Sequence, residues 1–144
     1  MRLGHRFLLI GGVLTAAASL LHVGIILGGP AWYRFFGAGE GMARQAERGF
    51  FFPTVVTAGI ALALACAALY AFCGAGLFRR LPLTRITLIL IATVFLARGI
   101  LGIPAVLMGD SPYMQELGAR MTFMWVTSAI SLAMGVCYAI GAAD

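Results

Sequence analysis

The sequence predicts an all-α, integral membrane four-helix bundle with up-down topology. Three observations lead there. The 144 residues are 62% hydrophobic with a mean hydropathy of +1.00, more apolar surface than a soluble domain of this length can hide. The apolar residues gather into four segments, each holding roughly the 20 residues that a hydrocarbon core requires. The 10 basic residues are all arginine, and all but Arg98 are scattered near the ends of those segments or in the loops between them. That is the pattern of topology signals, not of a nucleic-acid surface. A single four-helix transmembrane domain over residues 1–144 follows, with no internal repeat, low-complexity tract or soluble module. The exclusive use of arginine needs no functional cause, because a GC-rich bacterial genome produces it.

The first span is expected over about Phe7–Leu27. Its start, with Arg2, His5 and Arg6 before an apolar run and Ala16-Ala17-Ala18, has the outline of a signal peptide. The run continues past that cleavage point to Leu27, which favours a retained helix. Gly28-Gly29-Pro30 stops it, and Trp32, Tyr33, Phe35 and Phe36 follow as an interfacial aromatic cluster. Trp125 marks the same interface from the fourth span. The polar stretch from Gly37 to Phe50 holds a short surface helix over Met42–Arg48, with Glu40/Arg44 at i,i+4 and Arg44/Glu47 at i,i+3.

The second span is expected over about Pro53–Phe78, the third over about Thr84–Met108 and the fourth over about Thr122–Ile140. Pro53 and Pro82 lie where helices begin, positions that tolerate a missing N–H. Pro104 falls inside the third span and removes the N–H that would bond to the Ile100 carbonyl, so a bend is expected just beyond Arg98. Small residues recur at helical spacing: Gly24 and Gly28; Thr54, Thr57, Ala61, Ala65 and Ala68; Ser128, Ser131 and Gly135. Such faces predict close helix packing, within the bundle or in a homo- or hetero-oligomer.

Loop charges set the orientation. Arg2, Arg6, Arg79, Arg80 and Arg85 lie on one side, opposed only by Asp144. Arg34, Arg44, Arg48 and Arg120 lie on the other with Glu40, Glu47, Asp110 and Glu116. The positive-inside rule then places both termini in the cytoplasm.

Two residues stand out chemically. Arg98 lies near the middle of the third span, where a charge costs at least a few kcal/mol and normally faces a protein interior or a wet cavity with a partner. His22 lies on the first span, on one face with Thr15 and Ser19 at +4 and +3. At 1.5 Å per residue, His22 is roughly 22 Å and Arg98 roughly 21 Å from the inner edge, so both fall at similar depth in the outer half. Arg98 is expected to be buried, with Glu40 or Glu47 folding back to neutralise it. His22 and Arg98 would then share a site, with Ser19 beside them and Trp32, Tyr33, Glu40 and Glu47 at its mouth.

Other chemistries lack their residues. His5 and His22 lie at opposite ends of one helix and cannot share a haem. No cluster of His, Asp and Glu has zinc-ligand spacing. The three cysteines, Cys66, Cys73 and Cys137, sit in apolar runs without a CxxC, which excludes a disulfide framework and a quinone-linked thiol oxidase. No motif specifies a reaction, and no cofactor is called for.

The segment Leu21-His22-Val23-Gly24-Ile25-Ile26-Leu27-Gly28-Gly29-Pro30-Ala31-Trp32-Tyr33-Arg34-Phe35-Phe36-Gly37-Ala38-Gly39-Glu40, with Ala97-Arg98-Gly99, resembles uncharacterised four-helix membrane proteins of bacteria that are DoxX-like in layout. That resemblance implies an inner-membrane location and no established activity. A looser likeness is to the sterol-isomerase and sigma-2-receptor group, whose intramembrane acidic residues have no counterpart here.

The expectation is a bacterial inner-membrane protein that binds a small amphipathic or anionic ligand, such as a lipid headgroup or quinone, in a periplasm-facing polar pocket formed by His22, Arg98, Glu40, Trp32, Tyr33, Glu47 and Ser19. Two alternatives stay open: an accessory subunit of a membrane complex, and a small enzyme using His22 as general base.

Overall fold

The computed structural model describes residues 2–144, and among them it is all helical. Four long helices form the bundle: α1 (Leu3–Gly28), α4 (Phe52–Gly74), α5 (Thr84–Met108) and α7 (Met121–Ala143). Each is long and apolar enough to cross a membrane, as expected of a multi-pass membrane protein. Three short helices, α2 (Pro30–Phe35), α3 (Glu40–Glu47) and α6 (Pro112–Gly118), cap one end. The termini meet at the other end, where the Gly4 N–H donates to Asp144 Oδ2 at 3.1 Å. The chain therefore runs up and down twice.

The helices approach where side chains are small. Gly11 of α1 faces Cys137 and Tyr138 of α7, and Gly12 faces Ala71 and Phe72 of α4. Between α5 and α7 the contact reaches the backbone. A Cβ added at Gly135 would stand 2.9 Å from the Leu96 nitrogen, and one at Gly99 would stand 3.0 Å from the Leu132 nitrogen. Thus α1 packs along α4 and α7, and α7 along α5, whereas α4 and α5 meet only sparsely. That seam is the loosest in the ring.

Polar side chains inside the bundle bond across helices. Ser19 Oγ on α1 donates to the Ala61 carbonyl of α4 at 2.7 Å. The Tyr138 hydroxyl lies 3.0 Å from both Thr15 Oγ1 and the Ala67 carbonyl, joining α7 to α1 and α4. In hydrocarbon such bonds satisfy groups that have no water to turn to.

Three readings of the sequence are corrected. The second span ends at Gly74 rather than Phe78. Gly76 takes φ +82°, and the Leu77 N–H returns to the Phe72 carbonyl at 3.0 Å while the Gly76 N–H reaches that of Cys73 at 3.1 Å. This left-handed Schellman stop satisfies the last carbonyls. The surface helix begins at Glu40, not Met42, and its Glu47 pairs with Arg34 instead of Arg44. Gly24 and Gly28 do not seat a neighbouring long helix. Gly29 turns the chain at φ +73°, α2 folds back, and the Trp32 indole lies against both glycines. Pro104 is accommodated within a continuous α5 that runs one further turn to Met108.

Candidate functional site

The capped end of the bundle encloses a cavity of about 460 Å³. His22 and Ile25 of α1 line it together with Val56, Thr57 and Ile60 of α4. Thr127 of α7 and Tyr113 of α6 complete its polar wall, and Tyr33 of α2 closes it from the cap. Among the described residues α5 contributes Arg98 alone. No carboxylate lines the cavity.

Arg98 differs from expectation in two ways. Its side chain is exposed rather than buried, and its hydrogen-bond partners are hydroxyls, Ser128 Oγ and Thr127 Oγ1, each at 3.4 Å. Both bonds are longer than a good N–H···O bond, and a guanidinium has five N–H donors to place. Its charge is therefore not neutralised within the protein. The guanidinium lies over Gly102, one turn along α5, and a Cβ there would collide with Nη1.

Glu40 and Glu47 do not reach Arg98, because Arg34 is nearer along the chain. Arg34 holds Glu40 through Nε and Nη2 at 2.8 and 3.0 Å and Glu47 through Nη2 at 2.7 Å. Arg44 Nε adds a bond to Glu40 at 3.1 Å. The bidentate geometry is the strong form of a guanidinium–carboxylate pair. The Arg34 guanidinium, and secondarily that of Arg44, hold the Glu40 carboxyl down to about 2, and the two carboxylates push the Arg34 pKa up. Further links fasten the cap across the bundle. Glu116 Oε2 accepts from the Glu40 N–H at 2.8 Å, Tyr113 Oη donates to the Gly37 carbonyl at 2.8 Å, and Arg120 donates to the carbonyls of Arg34 and Phe35. Arg120 thereby serves the carbonyls at the end of α2, with its guanidinium 4.5 Å from the Phe123 ring centre.

His22 and Tyr33 supply the remaining polar chemistry. The His22 Nδ1 lies 2.7 Å from the Ala18 carbonyl. A carbonyl only accepts, so Nδ1 carries the proton there, and in the neutral ring Nε2 is left as an acceptor. The Tyr33 side chain is 2% exposed, and its hydroxyl is buried without a hydrogen-bond partner. An unpaired buried hydroxyl is costly and uncommon.

The structure thus brings His22, Arg98 and Tyr33 to one cavity. Ser19 is spent on the α1–α4 contact, Trp32 sits on the α1 glycines beside Phe36, and Glu40 and Glu47 belong to the cap. Tyr113 and Thr127 line the cavity without having been singled out from the sequence. The signal for Tyr113 was Ser111-Pro112, a helix cap followed by a first-turn proline: Ser111 Oγ accepts from the Met114 N–H at 3.2 Å and opens α6. Burial pushes the Tyr113 hydroxyl pKa up, while the nearby Arg98 charge opposes that rise.

No known protein family matches the chain, and no curated protein or solved structure is similar to it.

Proposed function

We propose that this protein binds a small amphipathic molecule through an anionic or carbonyl-bearing head, a lipid headgroup or a quinone, held in the capped cavity. The observation that carries this reading is a guanidinium that meets no carboxylate on the wall of a cavity that His22 and Tyr33 also line, the Tyr33 hydroxyl being buried and without a partner. Arg98 donates to the head, Tyr33 adds a second donor, and His22 Nε2 accepts. The apolar remainder lies along Val56 and Ile60 towards the α4–α5 seam. The arginine imbalance between the two ends supports a periplasmic cap with cytoplasmic termini, in the bacterial inner membrane that the DoxX-like resemblance implies. Alkaline phosphatase fused after Gly41 is then active and fused after Arg80 inactive; the reverse pattern overturns that orientation.

The ligand test is a thermal shift on protein in dodecyl maltoside, with a short-chain phosphatidic acid, decylubiquinone and a phosphocholine of equal chain length as three separate probes. One of the first two raises the melting temperature beyond the phosphocholine, and Arg98→Gln abolishes that rise. Equal shifts with all three probes, or an unchanged response in Arg98→Gln, overturn the reading.

A further inference from the structure

The opposite end of the bundle, where the termini meet, holds a second cavity of about 300 Å³ whose lining is basic. Arg2 reaches it from the residue before α1, Arg80 from the α4–α5 loop, and Arg85 from the first turn of α5. Leu8 and Leu88, both buried, form its apolar floor. The only acidic residue on its wall, Asp144, already accepts the Gly4 N–H at 3.1 Å. None of the three arginines forms an ion pair or a side-chain hydrogen bond among the described residues. Topology alone asks for positive charge at this end of the molecule. It does not ask for three guanidiniums from separate segments around one hollow.

Two neighbouring features define what would fill it. The α5 helix starts without a side-chain cap, because its N-cap is Leu83 in the left-handed region at φ 57°. Its first-turn N–H groups, beside the cavity-lining Thr84 and Arg85, favour an anion. The α4–α5 loop that carries Arg80 is apolar on either side of it: Leu77, Phe78 and Leu83 are 52%, 57% and 69% exposed. Bare apolar side chains bracketing unpaired arginines match the boundary between headgroups and acyl chains.

We infer that this cavity is a binding site for the phosphate of an anionic phospholipid, gripped by Arg2, Arg80 and Arg85 with its acyl chains against Leu77, Phe78 and Leu83. The site is separate from the capped cavity and does not rest on the ligand proposed there. Basic pockets between transmembrane helices recognise anionic headgroups by the same charge-assisted bonds.

Native mass spectrometry on delipidated protein in dodecyl maltoside tests this, with phosphatidylglycerol and phosphatidylcholine of identical chains as probes. Phosphatidylglycerol is retained in preference. Arg80→Gln/Arg85→Gln weakens its retention by roughly thirtyfold, about fivefold for each arginine near a headgroup, while Arg48→Gln, an exposed arginine at the other end that lines neither cavity, leaves that preference in place. Equal retention of the two lipids overturns the proposal, as does an unchanged double variant. Displacement of phosphatidylglycerol by inorganic phosphate at matched concentration also overturns it, by making the site one for free phosphate. If the double variant loses its helical circular dichroism, Arg80→Gln alone, in a loop outside the helices, carries the test with about a fivefold loss.

Discussion

The Arg98 guanidinium occupies the space that a side chain at Gly102 would fill, so one residue on α5 exists as glycine to let its neighbour one turn away reach Ser128 and Thr127. The obstructing group is the tip of a flexible side chain, which can move, and this separates stability from binding. Gly102→Ala keeps the melting temperature within what about 1 kcal/mol of helix propensity allows. It displaces Arg98, however, and ligand affinity at the capped cavity falls by at least about tenfold, the loss of one charged hydrogen bond. Calorimetry and a ligand titration on the same sample check both halves. A variant that binds normally would show that Arg98 does not act from this position.

Tyr33 gives the opposite separation. Its hydroxyl is buried and unpartnered, so Tyr33→Phe removes a group that costs the ligand-free protein about 1–3 kcal/mol. The variant melts higher without ligand and gains less on ligand addition than the parent protein. A lower melting temperature for the ligand-free variant would mean that the hydroxyl has a partner within the protein.

The α5–α7 crossing leaves no room for a methyl group. Gly135→Ala sets a Cβ against the Leu96 backbone, and Gly59→Ala on α4 meets nothing within 4 Å. The first variant loses about 1–3 kcal/mol by overpacking, and the second is neutral or gains up to about 1 kcal/mol. Unfolding in detergent by a graded denaturant reads both. Equal effects would place the tight contact elsewhere.

The cap responds to acid late. The Glu40 carboxyl is held at about 2 against an ordinary 4.5, first by its hydrogen bond from Arg34 and then by that from Arg44. Its contribution is whole above pH 4.5 and is lost as pH falls from there through about 2. Amide exchange over residues 34–47, corrected for intrinsic rates, therefore holds its protection at pH 4 and opens below pH 3. In Glu40→Gln the segment is already less protected at neutral pH. A midpoint at 4.5 would contradict the pairing.

Much of the architecture was legible because hydrocarbon imposes a coarse rule: long apolar runs, charges at their ends. What escaped was decided by local competition. Arg34 captures Glu40 from six residues away, so counting depths for Arg98 and the two glutamates missed a nearer cation. Gly24 and Gly28 had the spacing of a helix-packing motif, yet α2 folds back and delivers Trp32 first. The end of α4 was misplaced because glycine is common inside transmembrane helices, and only the positive φ of Gly76 distinguishes a stop from a tolerated residue. His22 and Arg98 were legible as anomalies, and both line the capped cavity. Tyr33 was legible as an aromatic at the interface, but its orphaned hydroxyl was not, since an unmet hydrogen bond leaves no trace in composition.

The loose contact between α4 and α5 has a consequence for how occupancy is counted. If the proposed ligand is dissolved in the leaflet, that seam offers it a sideways route to the cavity that never enters water. Its effective concentration there is a mole fraction among lipids, enriched by every methylene that favours the bilayer. A head that binds weakly in solution can then fill the cavity in the membrane, and apparent affinity in micelles drops as more detergent dilutes the ligand. Occupancy becomes a property of the membrane's composition as much as of the protein.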